Sequence, residues 1–255
     1  AAIALPTDGC GGKRVIDGRP ETLKRTCHES LKRLKTDRID LYYLHRWDKR
    51  VPVEESVGAL ADLVKDGLIG AIGLSEISAA TLRRAHAVHP IAAVQSEYSL
   101  WTRASQAVLQ TCEEIGATFV AFSPLGRGFL AGAVRDPATL TEKDLRRGMP
   151  RFQSPHFERN LEVLERFEAL AREAQCTPGQ LALAWLLTRS NVLPIVGTRS
   201  IEHLHENVAA ASLSLPTEIL ARAEELVSDA TISGARYPAA TLAEIDTEES
   251  DAAAR

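Results

Sequence analysis

The sequence lacks an excess of charge of either sign, because 30 lysines and arginines face 34 aspartates and glutamates. This balance argues against nucleic acid as the main partner, since binding to a phosphate backbone needs clustered positive charge. No apolar run approaches the roughly 18 residues that cross a bilayer. The first residues, AAIALPT, are too short for a signal peptide and lack its basic flank. We therefore expect a cytoplasmic protein that binds neither nucleic acid nor membranes.

Cysteine is also scarce, and the four residues form no C-x-x-C pair, as is typical of reduced cytosolic thiols: Cys10, Cys27, Cys112 and Cys176. No metal-ligand spacing is found, so we predict no metal site. The motifs GxxxxGK[ST], HExxH and GxSxG are missing from the sequence. A G-x-G-x-x-A stretch at residues 126–131 follows a strand, but polar loop replaces the second strand with an acidic end that a Rossmann site needs.

What the sequence does contain is an alternation of short apolar runs and longer stretches with helical periodicity, in a composition typical of globular domains. The runs predict strands at residues 1–5, 39–44, 69–74, 91–95, 117–122 and 192–196. Helices are predicted from Pro20 and at 53–65, 78–87, 104–115, 160–174, 178–189, 201–210 and 218–228. Residues 133–158 are polar and predict a long loop, in which Arg146 and Arg147 are expected to be solvated charges.

Strands that alternate with helices indicate a parallel sheet, either doubly wound or most of a (β/α)8 barrel. The predicted strands end in polar or special residues: His45, Ser75, Gln95, Ser123 and Gly197. In a barrel the carboxyl ends of the strands converge on one site. These strand ends therefore favour the barrel.

Three features could take part in chemistry. Residues 197–200 offer loop amides, hydroxyls and a guanidinium at a helix start, which suits a phosphate, although a plain capped helix explains them equally well. His45 could bond a substrate carbonyl or act as acid or base, or it could be a strand-end histidine bonded to backbone. Trp47 and Trp101 follow strand ends and are candidates for the wall of a substrate pocket, with a core or lid role as the alternative.

Six ordered motifs give the sequence a resemblance to the aldo-keto reductase family: IDLYYLHR (39–46), IGLSE (72–76), AVQSEYS (93–99), VAFSPLG (120–126), VGTR (196–199) and Glu206-Asn207. The resemblance implies a (β/α)8 TIM barrel that binds NADP(H) extended across the carboxyl ends of its strands. Under it, His45 would orient the substrate as a member of the catalytic tetrad. Ser75 and Gln95 would bond the nicotinamide carboxamide, and Phe122 would stack on its ring.

The remaining dinucleotide contacts are implied for two loops and a helix. They are Ser123, Leu125 and Gly126 at the pyrophosphate, Gly197, Thr198 and Arg199 at the adenosine phosphate, His203 near the 2′-phosphate, and Glu206 and Asn207 at the adenine. Many relatives carry Arg where this chain has His203, and a histidine offers less charge to a phosphate than a guanidinium does. NADP(H) is the expected cofactor, with NAD(H) the second candidate. Many relatives also carry Asn where this chain has Glu76.

The tyrosine, aspartate and lysine of the family's tetrad are not found in the sequence. Residues 1–5 align with the third barrel strand, so the first two positions fall before them, and residues 5–8 (LPTD) contain no lysine. We expect about six of eight βα units, strands 3–8, in residues 1–240, followed by a disordered acidic tail at 241–255. The implied function is NAD(P)H-dependent reduction of an aldehyde or ketone, with this chain alone poorly active. The alternative is a non-catalytic nicotinamide-binding redox sensor or partner subunit.

Overall fold

The structure, a computed structural model, describes residues 15–246 and the backbone of Ile3–Ala4. Seven strands lie in these residues: β1 (Ile3–Ala4), β2 (Val15–Ile16), β3 (Ile39–Leu44), β4 (Ile69–Ser75), β5 (Ile91–Glu97), β6 (Thr118–Phe122) and β7 (Val192–Ile195). From β3 onward, each strand lies within two residues of its predicted bounds. The agreement is close because each is a short apolar run between residues that favour turns or helix ends.

Nine α-helices lie in the described residues: α1 (Pro20–Leu34), α2 (Val53–Lys65), α3 (Ala79–Val88), α4 (Gln106–Ile115), α5 (His156–Glu173), α6 (Pro178–Leu187), α7 (Ile201–Ala209), α8 (Thr217–Leu226) and α9 (Ala239–Leu242). Side-chain caps fix where several of them begin. The hydroxyls of Ser78 and Ser200 accept backbone N–H groups at the starts of α3 and α7, and Thr177 forms a capping box with Gln180 at α6. Within the described part of the chain, none of these helices is both long and apolar enough to traverse a bilayer.

Five strands form one sheet in the order β3-β4-β5-β6-β7. β3 pairs in parallel with β4, and β4 pairs in parallel with β5. In a doubly wound sheet the strand order reverses at a switch point. Here every strand lies beside its neighbour in the sequence, which is the order of a βα barrel. The described residues therefore form part of a (β/α)8 barrel, as the strand-end pattern predicts.

The first predicted strand differs from the expectation. The described part of it, Ile3–Ala4, pairs antiparallel with Val15–Ile16 in a separate two-stranded sheet. In the described residues, five of the six predicted strands thus belong to the parallel sheet. A short apolar run does not specify its partner strand, so the sequence pattern could not distinguish the two pairings. Residues 5–8, in which the sequence contains no lysine for the tetrad, lie outside the described residues.

The chain divides into two compact units. One barrel domain over residues 1–240 stays a prediction. Unit 1 comprises the described residues within Ala1–Ser96, Ser105–Phe119 and Glu244–Arg255, and unit 2 comprises Glu97–Ala104 and Val120–Ala243. In unit 1, α1 packs against α2, α2 against α3, and α3 against α4, over fully buried side chains such as Leu60 and Ile72. In unit 2, α5 packs against α6 and α8, and α6 packs against α7.

The predicted loop at 133–158 contains more order than the sequence suggests. It forms three short 3-10 helices (Pro137–Thr139, Leu145–Gly148 and Pro150–Phe152), and α5 begins at His156 instead of residue 160. Phe152 and Phe157 are buried, and they pack with Phe129 in an aromatic cluster of unit 2. Aromatic anchors of this kind fix a polar loop because each removes a large apolar area from water.

The described part of the predicted acidic tail is packed, in contrast to the expectation of disorder from residue 241. The side chains of Ile245 and Asp246 are buried in unit 1. A carboxylate oxygen of Asp246 accepts the backbone N–H of Ser78 at 2.8 Å, and the backbone N–H of Asp246 donates to the carbonyl of Glu76 at 3.1 Å. Residues 247–255 lie outside the described residues.

Candidate functional site

The polar strand ends of unit 1 lie on adjacent strands. Ser75 ends β4 and is the register partner of Gln95 in β5, and the backbone N–H of Glu76 donates to the carbonyl of Gln95 at 3.1 Å. Ser75 is buried, Gln95 is half-buried, and His45, directly after β3, is exposed. The three residues that the resemblance assigns to the nicotinamide end and the substrate thus lie on successive strands of one sheet: His45 follows β3, Ser75 ends β4, and Gln95 lies two residues before the end of β5.

Arg46 connects two of these strand ends. Its Nη1 donates to the carbonyl oxygen of His45 at 2.7 Å and to the hydroxyl of Ser75 at 3.3 Å. Gln95 is held from β3, since its side chain forms a hydrogen bond with the Tyr43 phenol; burial raises the pKa of that phenol and the hydrogen bond opposes the rise. The hydroxyl and amide that would meet a carboxamide are therefore oriented by neighbouring side chains of unit 1.

Glu76 occupies a position at which the backbone conformation suits asparagine. Its backbone lies in the left-handed region with φ 53°, and the residue is almost fully buried. Asparagine tolerates this conformation better than other non-glycine residues do. In this chain the position is held by the hydrogen bonds of its backbone to Gln95 and Asp246.

Trp47 is half-buried, and its indole N–H donates to the carbonyl of Val51 at 2.9 Å. The guanidinium of Arg84 lies over its ring at 6.0 Å. These contacts fix the segment after β3. They leave the role of Trp47 in a substrate pocket as a prediction.

In unit 2, the segment after β6 has an unusual backbone. Ser123, Gly126, Arg127 and Gly128 all have positive φ, at 51°, 56°, 58° and 88°. The backbone N–H groups of Gly126 and Gly128 donate to the carbonyls of Ser123 and Leu125, which closes the segment into a tight loop. Non-glycine residues in this region cost energy and cluster at functional sites. We call residues 123–128 the glycine loop.

The glycine loop forms one wall of a cleft of about 370 Å³ in unit 2. The cleft is lined by Ser123, Pro124, Leu125, Arg127, Gly128, Asp144, Leu145, Arg146, Ile195, Val196 and Gly197. Three of the residues that the resemblance places at phosphate groups, Ser123, Leu125 and Gly197, therefore share one cleft. Its lining holds two guanidiniums, of which Arg127 pairs with the Glu97 carboxylate and Arg146 with that of Asp144.

The prediction that Arg146 is a solvated charge is wrong, because its side chain is half-buried, whereas Arg147 is exposed as predicted. The guanidinium of Arg146 forms a two-point pair with Asp144, at 3.0 and 2.7 Å, and donates to the carbonyl of Arg127 at 3.0 Å. The hydrogen bonds from Arg146 lower the pKa of the Asp144 carboxyl to about 2. Arg146 is thus a fixed cation in the cleft wall. Sequence reasoning missed it because a loop arginine shows no periodicity that would indicate burial.

The segment from Gly197 into α7 is open. Gly197, Thr198, Arg199 and His203 are exposed, and Ser200 caps α7 by accepting the backbone N–H of His203 at 3.3 Å. The structure therefore contains the capped helix start. The exposed guanidinium of Arg199 remains a candidate for a phosphate, whereas the backbone N–H of Ser200 donates to the Thr198 hydroxyl at 3.1 Å.

Glu206 and Asn207 are half-buried on α7. The Glu206 carboxylate accepts the hydroxyl of Thr177, and its backbone carbonyl accepts the side-chain amide of Gln180 at 3.3 Å. Glu206 thus fixes α7 to the start of α6 within unit 2. Its role at an adenine stays a prediction.

Phe122 is half-buried, with the guanidinium of Arg236 at 5.9 Å from its ring centre. Trp101 differs from the expected pocket wall. Its side chain is buried, stacked on Phe129 with ring centres 4.0 Å apart and placed edge-on to Phe152 at 5.3 Å. Both contacts place its ring in the aromatic core of unit 2, because burying an indole among other rings removes more apolar area than leaving it at a wall.

Sequence reasoning also missed a buried ionic network in unit 2. The Glu97 carboxylate accepts hydrogen bonds from Arg127 at 2.9 Å, Arg236 at 3.0 Å, Tyr237 at 3.2 Å and Thr102 at 3.2 Å. The only available signal was the acidic residue inside the AVQSEYS motif at an otherwise buried strand end. For metal binding, the residues that the structure describes contain no group of three or more histidine, cysteine or acidic side chains that could hold an ion.

Comparisons with known proteins agree with this arrangement. The Aldo/keto reductase family profile matches residues 12–228. The chain is 45% identical over 224 residues to "Probable aldo-keto reductase 1" of Glycine max and 44% identical over 226 residues to "Aldo-keto reductase str7" of Strobilurus tenacellus, with 87% of this chain covered in both. It spans 64% and 67% of the lengths of these curated relatives.

Solved structures give the same relationship. The glycerol dehydrogenase of Gluconobacter oxydans is 28% identical with a TM-score of 0.80, over 89% of this chain and 70% of that one. A thermostable aldo-keto reductase, Tm1743, is 31% identical with a TM-score of 0.64, over 82% and 67% of the two chains. The partial barrel, the strand-end motifs and these matches together show that the chain belongs to the aldo/keto reductase family.

Proposed function

We propose that this chain binds NADP(H) and takes part in reduction of an aldehyde or ketone to an alcohol. The observation that carries the proposal is the cleft of unit 2, in which two fixed guanidiniums and the glycine loop surround about 370 Å³. A dinucleotide is held mainly through its charged diphosphate, and guanidiniums and loop amides are the groups that bind phosphate best. The residues present therefore fit the cofactor that the family uses.

In this proposal, the guanidinium of Arg146 attracts the charged diphosphate, and the backbone of the glycine loop at Ser123 and Leu125 contacts it. Arg146 keeps its position through Asp144, so little side-chain entropy is lost on binding. The exposed Arg199 would meet the adenosine phosphate, with His203 beside it on α7. This arrangement favours NADP(H) over NAD(H), because a guanidinium gains most from a 2′-phosphate.

The residues of unit 1 would serve the nicotinamide and the carbonyl. Ser75 and Gln95 would bond the carboxamide, and Arg46 and Tyr43 hold the two side chains in place for it. His45 would donate a hydrogen bond to the substrate oxygen and orient the carbonyl. When bound, the nicotinamide supplies the hydride that reduces the carbonyl carbon. The free thiols of Cys27 and Cys112 are compatible with a reducing, cytoplasmic location.

The test is a titration of the 255-residue chain with NADPH and with NADH, followed by quenching of tryptophan fluorescence. We expect tighter binding of NADPH, weakened about tenfold in Arg146→Ala by loss of one charge-assisted contact. Arg222→Ala is the matched control, because Arg222 pairs with Glu173 on the surface of unit 2 outside the cleft. The affinity of Arg199→Ala should fall for NADPH only.

A carbonyl-reduction assay accompanies the titration. Because residues matching the tyrosine, aspartate and lysine of the tetrad are not found in the sequence, we expect binding with little turnover by this chain alone. Loss of a general acid removes a factor of roughly 10²–10⁴ in rate. A folded chain that binds neither dinucleotide would refute the proposed function. Full turnover that is lost in His45→Ala would refute the expected inactivity.

A further inference from the structure

The glycine loop is connected to a buried carboxylate that has no part in the proposed function. Glu97 is 4% exposed. One of its oxygens accepts hydrogen bonds from Nη2 of Arg127 (2.9 Å), Nε of Arg236 (3.0 Å) and the phenol of Tyr237 (3.2 Å), and the other accepts the Thr102 hydroxyl (3.2 Å). Four donors on one buried carboxylate make a rigid anchor, because each alternative arrangement would leave a charge unpaired.

The charges in this network keep the carboxylate ionised. Burial acts to raise the pKa of Glu97, but the positive charges of Arg236 and Arg127 outweigh it and lower the pKa below its ordinary value. The guanidiniums of Arg127 and Arg236 also lie over the Tyr237 ring, at 5.2 and 4.6 Å from its centre. Arg236 and Tyr237, which lie just before α9 and far from Glu97 in the sequence, therefore complete this network.

Arg127 belongs both to this network and to the glycine loop. Its side chain ends on Glu97 and on the phenol of Tyr237, whereas its backbone has φ 58° and its carbonyl accepts a hydrogen bond from Arg146. A left-handed backbone is unfavourable for any residue with a Cβ, so an outside contact must hold it there. The fixed far end of the Arg127 side chain is such a contact.

We propose that Glu97 is a positioning residue that holds the glycine loop in its binding conformation through Arg127. Its carboxylate does not reach the cofactor in this proposal; it acts on the backbone to which Arg127 belongs. The consequence for cofactor affinity rests on the proposed function, but the consequence for the loop conformation does not. A salt bridge with only a structural role would instead change stability and leave the loop and its affinity unaltered in the folded protein.

The first test measures the loop directly. Trypsin cleaves after Arg127, and mass spectrometry follows the rate of that one cleavage under native conditions. We expect faster cleavage in Glu97→Gln and, to a smaller extent, in Tyr237→Phe, which keeps the ring and removes only the hydroxyl. Glu224→Gln is the control, because Glu224 also binds an arginine and an aromatic N–H, those of Arg103 and Trp185. Equal cleavage rates in folded wild-type, Glu97→Gln and Tyr237→Phe proteins would overturn the inference, whether or not NADPH binds.

The second test is a double-mutant cycle on the NADPH dissociation constant. Glu97→Gln should weaken binding about tenfold, as expected for loss of a charge-assisted hydrogen bond. In the background of Arg127→Gly, whose glycine adopts the positive φ without an anchor, Glu97→Gln should have no further effect. An equal loss in both backgrounds would show that Glu97 acts by another route and overturn the inference. If the wild-type chain does not bind NADPH, the proposed function fails, and the cleavage rates alone decide the role of Glu97.

Discussion

Gly126 gives the sharpest test of the packing beneath the glycine loop. Its backbone has φ 56°, and a Cβ built on it would lie 2.6 Å from Cε3 of Trp101. The indole has little room to move, since it is stacked on Phe129 at 4.0 Å and placed edge-on to Phe152 at 5.3 Å. The change Gly126→Ala therefore combines backbone strain with a steric clash in the aromatic core of unit 2.

The two costs add to a large loss of stability. Placing a Cβ in the left-handed region costs about 1–2 kcal/mol. Overpacking a rigid core by one methyl group costs about 1–3 kcal/mol more. We expect Gly126→Ala to lower the free energy of unfolding by about 2–5 kcal/mol, a large fraction of the roughly 5–15 kcal/mol that is typical of native proteins.

Two other glycines separate the contribution of backbone strain from that of the steric clash. Gly128 has φ 88°, but an added Cβ would meet its nearest neighbour, Ala133, only at an ordinary 3.4 Å, so Gly128→Ala measures strain without a clash. Gly148 has no positive φ and no atom within 4 Å, so Gly148→Ala should change stability by less than about 0.5 kcal/mol. Urea unfolding followed by tryptophan fluorescence gives the midpoints. A Gly126→Ala midpoint equal to that of Gly128→Ala would refute the predicted clash with Trp101.

Three further predictions concern contacts that fix loops and the acidic segment. Asn160→Ala removes a fully buried amide that donates to the Arg151 carbonyl at 3.2 Å and accepts the Ser233 N–H at 2.8 Å. We expect the free energy of unfolding in urea to fall by about 2–4 kcal/mol, and a fall below about 1 kcal/mol would contradict the prediction. Ile245→Ala should cost about 2–4 kcal/mol in the same assay because that side chain is buried, whereas an unpacked tail would show no change. The folded-state pKa of Asp144 lies below its usual 3.8, so the stability that its carboxylate contributes is present above pH 4 and is lost as the pH falls toward 2. Asp144→Asn should abolish this part of the dependence of unfolding free energy on pH. An unchanged dependence between pH 5 and 2 would contradict the prediction.

Local periodicity accounts for how well the elements could be predicted. The bounds predicted for α2, 53–65, agree with the structure, because Val57 and Leu60 recur on one buried face and the helix ends before Gly67 at φ 75°. The predicted start of α5, residue 160, lies four residues after the observed start at His156. Phe157 lies in the first turn of that helix and is buried against Phe129 and Phe152. The helical periodicity of the sequence begins only after this residue, so it does not reveal the contact.

The sequence predicts site residues that lie at or near the ends of apolar strands, but it does not predict residues whose place in the site depends on contacts with distant side chains. Ser75 and Gln95 could be found because each lies in or at the end of an apolar run. Trp101 follows the same pattern, yet its ring is buried in the core. Whether a strand-end aromatic faces a pocket or packs inside depends on which rings surround it, and the sequence does not specify that.

The sequence by itself determined the order of strands and helices, the family and the positions of the polar strand ends, because these depend on residues a few positions apart. Only the tertiary structure decided that Arg146 lines the cleft and that Glu97 is paired with Arg127, 30 residues away, and with Arg236, 139 residues away. A buried charge takes the partner that the fold places within hydrogen-bonding distance, and burial makes the choice strict because an unpaired charge in the interior costs several kcal/mol. Partners at such separations in the chain leave no periodic signal, so the anchor of the glycine loop becomes visible only when the chain is folded.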